Sequence, residues 1–243
     1  MGMPIETVRT ISPPPAVSIA RRPRRSAAAA LALAAAAAIA AAIAASGGGS
    51  SASPWRQTFE ATDGPHVVVS ALPGADLAPL RALPGLEAAS GPFPVVDTSL
   101  RYRGREIGTR LEGRSAAGTA VDHPLLVSGG WARSGAIVLE QDTARALRVP
   151  VGARVIVATA RGRARLAVSG VAETAAPSRS SGTARGLGYV VPGTLAGVAP
   201  KVTYGSTMLL RLADPERAGK YVDWIRQRYP GGQVKVSEPS PSR

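Results

Sequence analysis

Residues Thr207–Val236, TMLLRLADPERAGKYVDWIRQRYPGGQVKV, spell a strand, a helix and a second strand in succession. Thr207–Leu212 is the first strand. Asp214-Pro215-Glu216 is a strong helix start, with a capping acid, a proline at the first position and an acid in the first turn. Ala218, Tyr221, Val222, Ile225 and Tyr229 then share one helical face, and Trp224 lies beside it. Pro230-Gly231 stops the helix, and Gln233–Val236 returns as a strand.

A unit of the same kind stands earlier. Val67-Val68-Val69 is a β-branched run suited to a buried strand. Asp76 caps a short helix, Leu77–Leu83, with Leu77, Leu80 and Leu83 on one face. Pro84-Gly85 ends it, and Leu86–Val96 is a second strand, broken at Gly91-Pro92. Ser99–Val121 is polar and Gly-rich, and reads as one or two exposed strands with a loop at Ser115–Gly118.

Leu125–Glu173 reads as a β-rich lobe. Gly129-Gly130-Trp131 makes a turn, Ala136–Leu139 a strand and Asp142–Leu147 a short helix. Arg154–Ala160 and Arg163–Val171 form a hairpin about Gly162. After the loop Ala175–Gly186 come a strand, Leu187–Val191, and a helix, Pro192–Val198, opened by its proline. Two strand–helix–strand units flanking a β-rich middle predict an α+β fold: a mixed domain with an inserted β-rich lobe.

Upstream, Ala27–Ala45 is alanine except for Leu31, Leu33, Ile39 and Ile43. As a helix it covers roughly 28 Å, close to the hydrocarbon thickness of a bilayer. Its four strongly apolar residues contribute only about −1 to −2.5 kcal/mol to insertion, so it needs neighbouring helices to hold well in lipid. The reading places a disordered basic cytoplasmic tail at 1–25 and a transmembrane helix at 26–46. A Gly/Ser linker at 47–53 leads to a domain at 54–237 and a polar tail at 238–243. Residues 1–25 carry five Arg and one Glu. That flank keeps the N-terminus in the cytoplasm and the main domain extracytoplasmic, in a single-pass protein of the cell membrane. A cleaved signal peptide is the rival reading, since Ala40-Ala41-Ala42 and Ala42-Ile43-Ala44 fit a small-x-small cleavage pattern.

The chemistry of the chain is sparse. It holds no cysteine, which removes disulfides, thiolate nucleophiles and zinc–thiolate sites. The formal charge is +13. Its basic residues are scattered and only 4% of residues are aromatic, which argues against nucleic acid. Arg21–Arg25 suits an anionic membrane surface. His66 and His123 lack a metal-binding spacing. The acids Asp63, Glu87, Asp97, Glu106, Glu112, Asp122, Glu140 and Asp142 form no evident pair, and a hydrolase would need two of them to meet in a cleft. No G-x-S-x-G elbow and no phosphate-binding loop occurs; Gly186-Leu187-Gly188 precedes a strand instead of following one. The chain therefore reads as non-catalytic, with no catalytic, cofactor-binding or metal residues to name. Trp55, Trp131 and Trp224 are candidates for core packing or for an interface.

Several motifs recur in order: Pro54–Val67 (PWRQTFEATDGPHV), Leu80–Leu86 (LRALPGL), Gly129–Glu140 (GGWARSGAIVLE), Leu147–Val155 (LRVPVGARV) and Val168–Ala172 (VSGVA). With the basic N-terminus and the span, they resemble the N-terminal part of FtsX-like ABC transporter permeases, over about residues 20–237. The extracytoplasmic portion of that family is a MacB-like periplasmic core domain. The resemblance implies a non-catalytic transport component that relays motion or contacts substrate and partners. Its implied partners are the lipid bilayer, a multi-span permease and a separate cytoplasmic ABC ATPase. Such permeases continue into three or more further spans, so the chain reads as a truncated permease or an accessory subunit. The alternative is an anchored extracytoplasmic binding or sensor domain that works without an ATPase.

Overall fold

The computed structural model describes residues 53–175, 186–200 and 203–239. The tail at 1–25, the span at 26–46, the linker except Ser53, and most of the loop Ala175–Gly186 lie outside the described residues. Among the described residues no helix is long and apolar enough to cross a membrane.

The elements run α1 (Pro54–Ala61), β1 (Val67–Ala71), a 3-10 helix (Ala78–Ala82), β2 (Leu86–Tyr102), β3 (Arg105–Gly113), β4 (Leu125–Gly129) and β5 (Ala136–Glu140). Then come α2 (Gln141–Leu147), β6 (Arg154–Thr159), β7 (Gly162–Glu173), β8 (Gly186–Val190), α3 (Pro192–Val198) and β9 (Gly205–Leu212). A 3-10 turn (Pro215–Arg217), α4 (Ala218–Arg228) and β10 (Val234–Ser237) close the described chain.

The two strand–helix–strand units fold together. Their strands lie in the order β10-β1-β9-β2, every neighbour antiparallel. Strand β9 sits between β1 and β2, so each crossover passes over one intervening strand, the split βαβ arrangement. Val67, Val69, Met208, Leu210 and Leu212 pack under Leu77, Leu80, Val222 and Ile225. The apolar stripe of α4 thus lands on the sheet where its spacing directs it.

The middle of the chain forms a closed barrel. Strand β2 pairs with β3, β3 with β8, β8 with β5, β5 with β7, β7 with β6, and β6 back with β2. Its interior is filled by Leu100, Leu111, Ile137, Leu139, Val155, Val157, Leu166, Val168 and Val190, while α2 and α3 add Leu147 and Leu195. Closure satisfies strand edges that would otherwise be open. Tyr189 and Val138 point outward into a smaller cluster beside Trp131.

Strand β2 belongs to both lobes. Its first half pairs with β9 and its second half with β3 and β6. The sequence break expected at Gly91-Pro92 is a register shift within one 17-residue strand, and that peptide is cis. Gly91 has φ +96°, and a Cβ there would come 2.5 Å from the Thr207 carbonyl oxygen, so only glycine fits.

Three local expectations change. Ser99–Val121 is not an exposed stretch: Leu100 and Leu111 are fully buried in the barrel, and the polar Thr109, Glu112 and Arg114 are buried as well. The helix at Leu77–Leu83 is 3-10 and shorter, with Asp76 Oδ1 accepting the Ala78 N–H at 2.9 Å. Helix α1 was not foreseen. It begins where Ser53 caps the Arg56 N–H and Pro54 takes an N-terminal helical position.

Candidate functional site

Helix α1 is the first described element, and its attachments join both lobes. Phe59 holds it to the α/β lobe. The ring stacks in a tilted arrangement between Trp55 and His66, at centroid distances of 5.0 and 5.6 Å. It also lies against Gly64, where a Cβ would fall 2.3 Å from the ring. Glycine at 64 is therefore a seat for Phe59. Arg211, on β9, reaches the same place. It donates to the Gly64 carbonyl at 3.0 Å, pairs with Glu87 at 3.2 Å and lies 6.0 Å from the Phe59 ring centroid.

His66 completes this seat. Its Nδ1 accepts the Leu212 N–H at 2.9 Å, which requires a neutral ring. Burial, aided by the neighbouring Arg211 charge, holds its pKa below the ordinary value of 6.5.

The barrel grips the other side of α1. Thr58 Oγ1 donates to Glu173 at the end of β7, at 2.5 Å. Past the helix, the Asp63 carbonyl accepts the Asp122 N–H at 2.9 Å and the Thr62 carbonyl accepts the His123 N–H at 3.0 Å. Asp63 and Asp122 both hold a left-handed backbone, with φ 50° and 51°. Aspartate tolerates that region better than most residues.

Asp122 is fixed in turn by Arg114, whose side chain is buried like those of Asp122 and Glu112. Arg114 Nε donates to Glu112 at 2.5 Å, Nη1 to the Asp122 carbonyl at 2.7 Å and Nη2 to its carboxylate at 3.3 Å. The guanidinium also lies between the rings of Phe93 and Tyr189, at 4.4 and 5.0 Å from their centroids. The other Asp122 oxygen accepts from Thr174 Oγ1 at 2.5 Å and from the Ala175 N–H at 3.2 Å. Burial works against the Arg114 charge, but the Glu112 and Asp122 carboxylates overcome it and keep the group protonated. Burial raises the Glu112 carboxyl above its usual range, with the Asp122 charge adding to the rise and Arg114 opposing it.

The acids singled out in the sequence are all occupied. Asp97 pairs with Arg110, Glu106 with Arg101, Glu87 with Arg211 and Asp142 with Arg145, and the Asp63 carboxylate lies 3.4 Å from His123 Nδ1. Glu140 caps α2 through the Asp142 and Thr143 N–H groups. Glu112 and Asp122 do converge, but on a buried guanidinium and not in a cleft. Among the described residues no group of three or more potential ligands gathers for a metal. Trp131, partly buried, packs on Tyr189 at 5.4 Å against the core. Trp224 is 46% exposed, in a hollow of about 450 Å³ with Leu83, Pro84, Tyr221, Arg217 and Lys220.

Sequence reasoning missed Arg114 and Thr58. A lone arginine in a Gly-rich polar stretch carries no signal of burial. Asp122, set before His123-Pro124, was visible only as one acid among many.

No protein-family model matches this sequence, and no curated protein matches it. Solved structures do match it. One is the extracellular domain of the noncanonic ABC-type transporter YknZ from Gram-positive bacteria. It has 14% identity and a TM-score of 0.41, over 71% of this chain and 99% of that one. Another is the periplasmic region of MacB from Actinobacillus actinomycetemcomitans. It has 10% identity and a TM-score of 0.41, over 76% of this chain and 94% of that one.

Proposed function

We propose that this chain is a membrane-anchored, non-catalytic extracytoplasmic component of an ABC-type transport system, in which α1 relays movement between the N-terminal segment and the folded domain. The double attachment of α1 carries the reading. The helix follows directly on the proposed linker at 47–53. It is held to one lobe through Phe59 and Arg211, and to the other through Thr58 with Glu173. Asp63 with Asp122 reinforces the second grip. Displacement of such a strut moves both lobes, since packed interfaces transmit strain. The FtsX-like motifs support the same reading, and that family uses a separate cytoplasmic ATPase. An anchored sensor domain without an ATPase needs a tether, but not a strut fixed at both sides.

The chain lacks cysteine, so a pair of labels is easily placed. With Gln227→Cys on α4 and Arg161→Cys in the β6–β7 turn, spin labels report the distance between lobes in the full-length protein. The expected result is a narrow distance distribution that broadens when Thr58→Val and Phe59→Ala are combined. A distribution unchanged by those substitutions contradicts the strut.

A further inference from the structure

A second concavity, of about 600 Å³, borders the barrel. It forms where the β2–β3 hairpin, helix α2, and strands β4 and β7 meet. Its floor is apolar: Tyr102, Val149 and Val171 are continuous with the barrel core. Its rim carries Arg103, Arg145 and Arg148, and no carboxylate lines it. Arg145 is paired with Asp142 at 3.1 Å. Arg103 and Arg148 have no ion-pair partner among the described residues, and Arg103 rests 5.3 Å from the Tyr102 ring centroid.

The backbone at these two arginines is telling. Arg103 has φ 45° and is followed by Gly104 at φ 80°, a hairpin turn that favours Asn-Gly. Arg148 has φ 53° and closes α2 at a position that favours glycine. Left-handed backbone is unfavourable for any residue that carries a Cβ. Arginine therefore stands at two left-handed positions on the rim of one groove, where a smaller residue would suit the backbone better.

The geometry points to a binding site for an anionic amphiphile: a phosphomonoester head held by Arg103 and Arg148, with a short acyl or alkyl segment on the floor of Tyr102, Val149 and Val171. Guanidinium groups match phosphate oxygens through paired hydrogen bonds. An apolar floor beneath a few convergent polar groups is the usual make-up of a small-ligand pocket, and the volume is in the usual range. The floor argues for head and tail together over a bare anion.

The test is equilibrium dialysis of octyl phosphate, below its micelle concentration, against the full-length chain in a nonionic detergent, with detergent alone as the baseline. Inorganic phosphate, octyl glucoside and a hexaglutamate peptide are the comparison probes. Saturable one-site binding of octyl phosphate is expected, weaker at higher salt. In the double variant Arg103→Asn/Arg148→Gly, binding falls by about tenfold or more, the loss of a charge-assisted contact. Its thermal midpoint stays the same or rises, because both replacements suit the left-handed backbone. A loss of binding therefore cannot be traced to unfolding. Equal binding by the double variant overturns the proposal. So does inorganic phosphate binding as tightly as octyl phosphate, uptake no greater than the detergent baseline, or capture of hexaglutamate in place of octyl phosphate.

Discussion

Arg114 grips Asp122 at two points: Nη1 meets the main-chain carbonyl at 2.7 Å and Nη2 the carboxylate at 3.3 Å, with both side chains buried. Removing the cation leaves Glu112 and Asp122 as uncompensated buried acids. Arg114→Met is expected to cost about 3–5 kcal/mol in urea unfolding. Arg114→Lys should lie between that variant and the native chain, since an ammonium cannot span Glu112 and both Asp122 oxygens. A loss below about 1 kcal/mol for Arg114→Met would show that the network does not hold the junction.

His66 makes the seat of α1 pH-sensitive. Its folded pKa lies below the unfolded value near 6.5. Well above pH 6.5 both states are neutral and its contribution to stability is fully present. As pH falls below 6.5 the unfolded chain takes up a proton first, so that stability is lost through the folded pKa. Arg211 and Glu87 are the charges facing the ring, and the Arg211 charge acts to lower the pKa. The urea midpoint should therefore drop between pH 7.5 and 5, and drop less in His66→Asn, whose amide oxygen still accepts the Leu212 N–H. An imidazole titration midpoint at or above 6.5 would remove the basis for this.

Phe59 and Gly64 should behave as one unit. A methyl at 64 falls inside the Phe59 ring, so Gly64→Ala should destabilise by about 1–3 kcal/mol. The penalty should nearly vanish in a Phe59→Ala background, where the space is open. Hydrogen exchange should quicken at α1 amides well before those of β5. Additive penalties in the double variant would mean that the two residues do not meet.

Leu111 and Trp224 show what the sequence carried and what it did not. Trp224 stands beside the stripe of α4, and its exposure follows from helical spacing alone. Trp224→Ala should change stability by less than about 0.5 kcal/mol. Leu111 sits in a stretch so polar that it read as surface, yet it is fully buried. Leu111→Ala should cost about 2–5 kcal/mol. The reason is topological. β3 pairs with β8, far along the chain, and closure of the barrel depends on β6 meeting β2. Such pairings leave no local periodicity.

The two strand–helix–strand units were legible because their caps, prolines and apolar spacing are local signals. Even the inserted β-rich lobe followed from their separation. The candidate site was not legible, because its contacts join residues as distant as Thr58 and Glu173, or Arg211 and Gly64. Helix α1 had a local signal, Ser53 before Pro54, but the short run after it carries no buried residue to mark a face.

The most direct test of the transport reading is to recover the full-length chain from its own membranes in a mild detergent and identify its companions by mass spectrometry. The account predicts a nucleotide-binding ATPase subunit and a multi-span membrane protein, both retained at fixed ratio to the chain. Recovery of the chain without either, under conditions that keep other ABC assemblies intact, would contradict it.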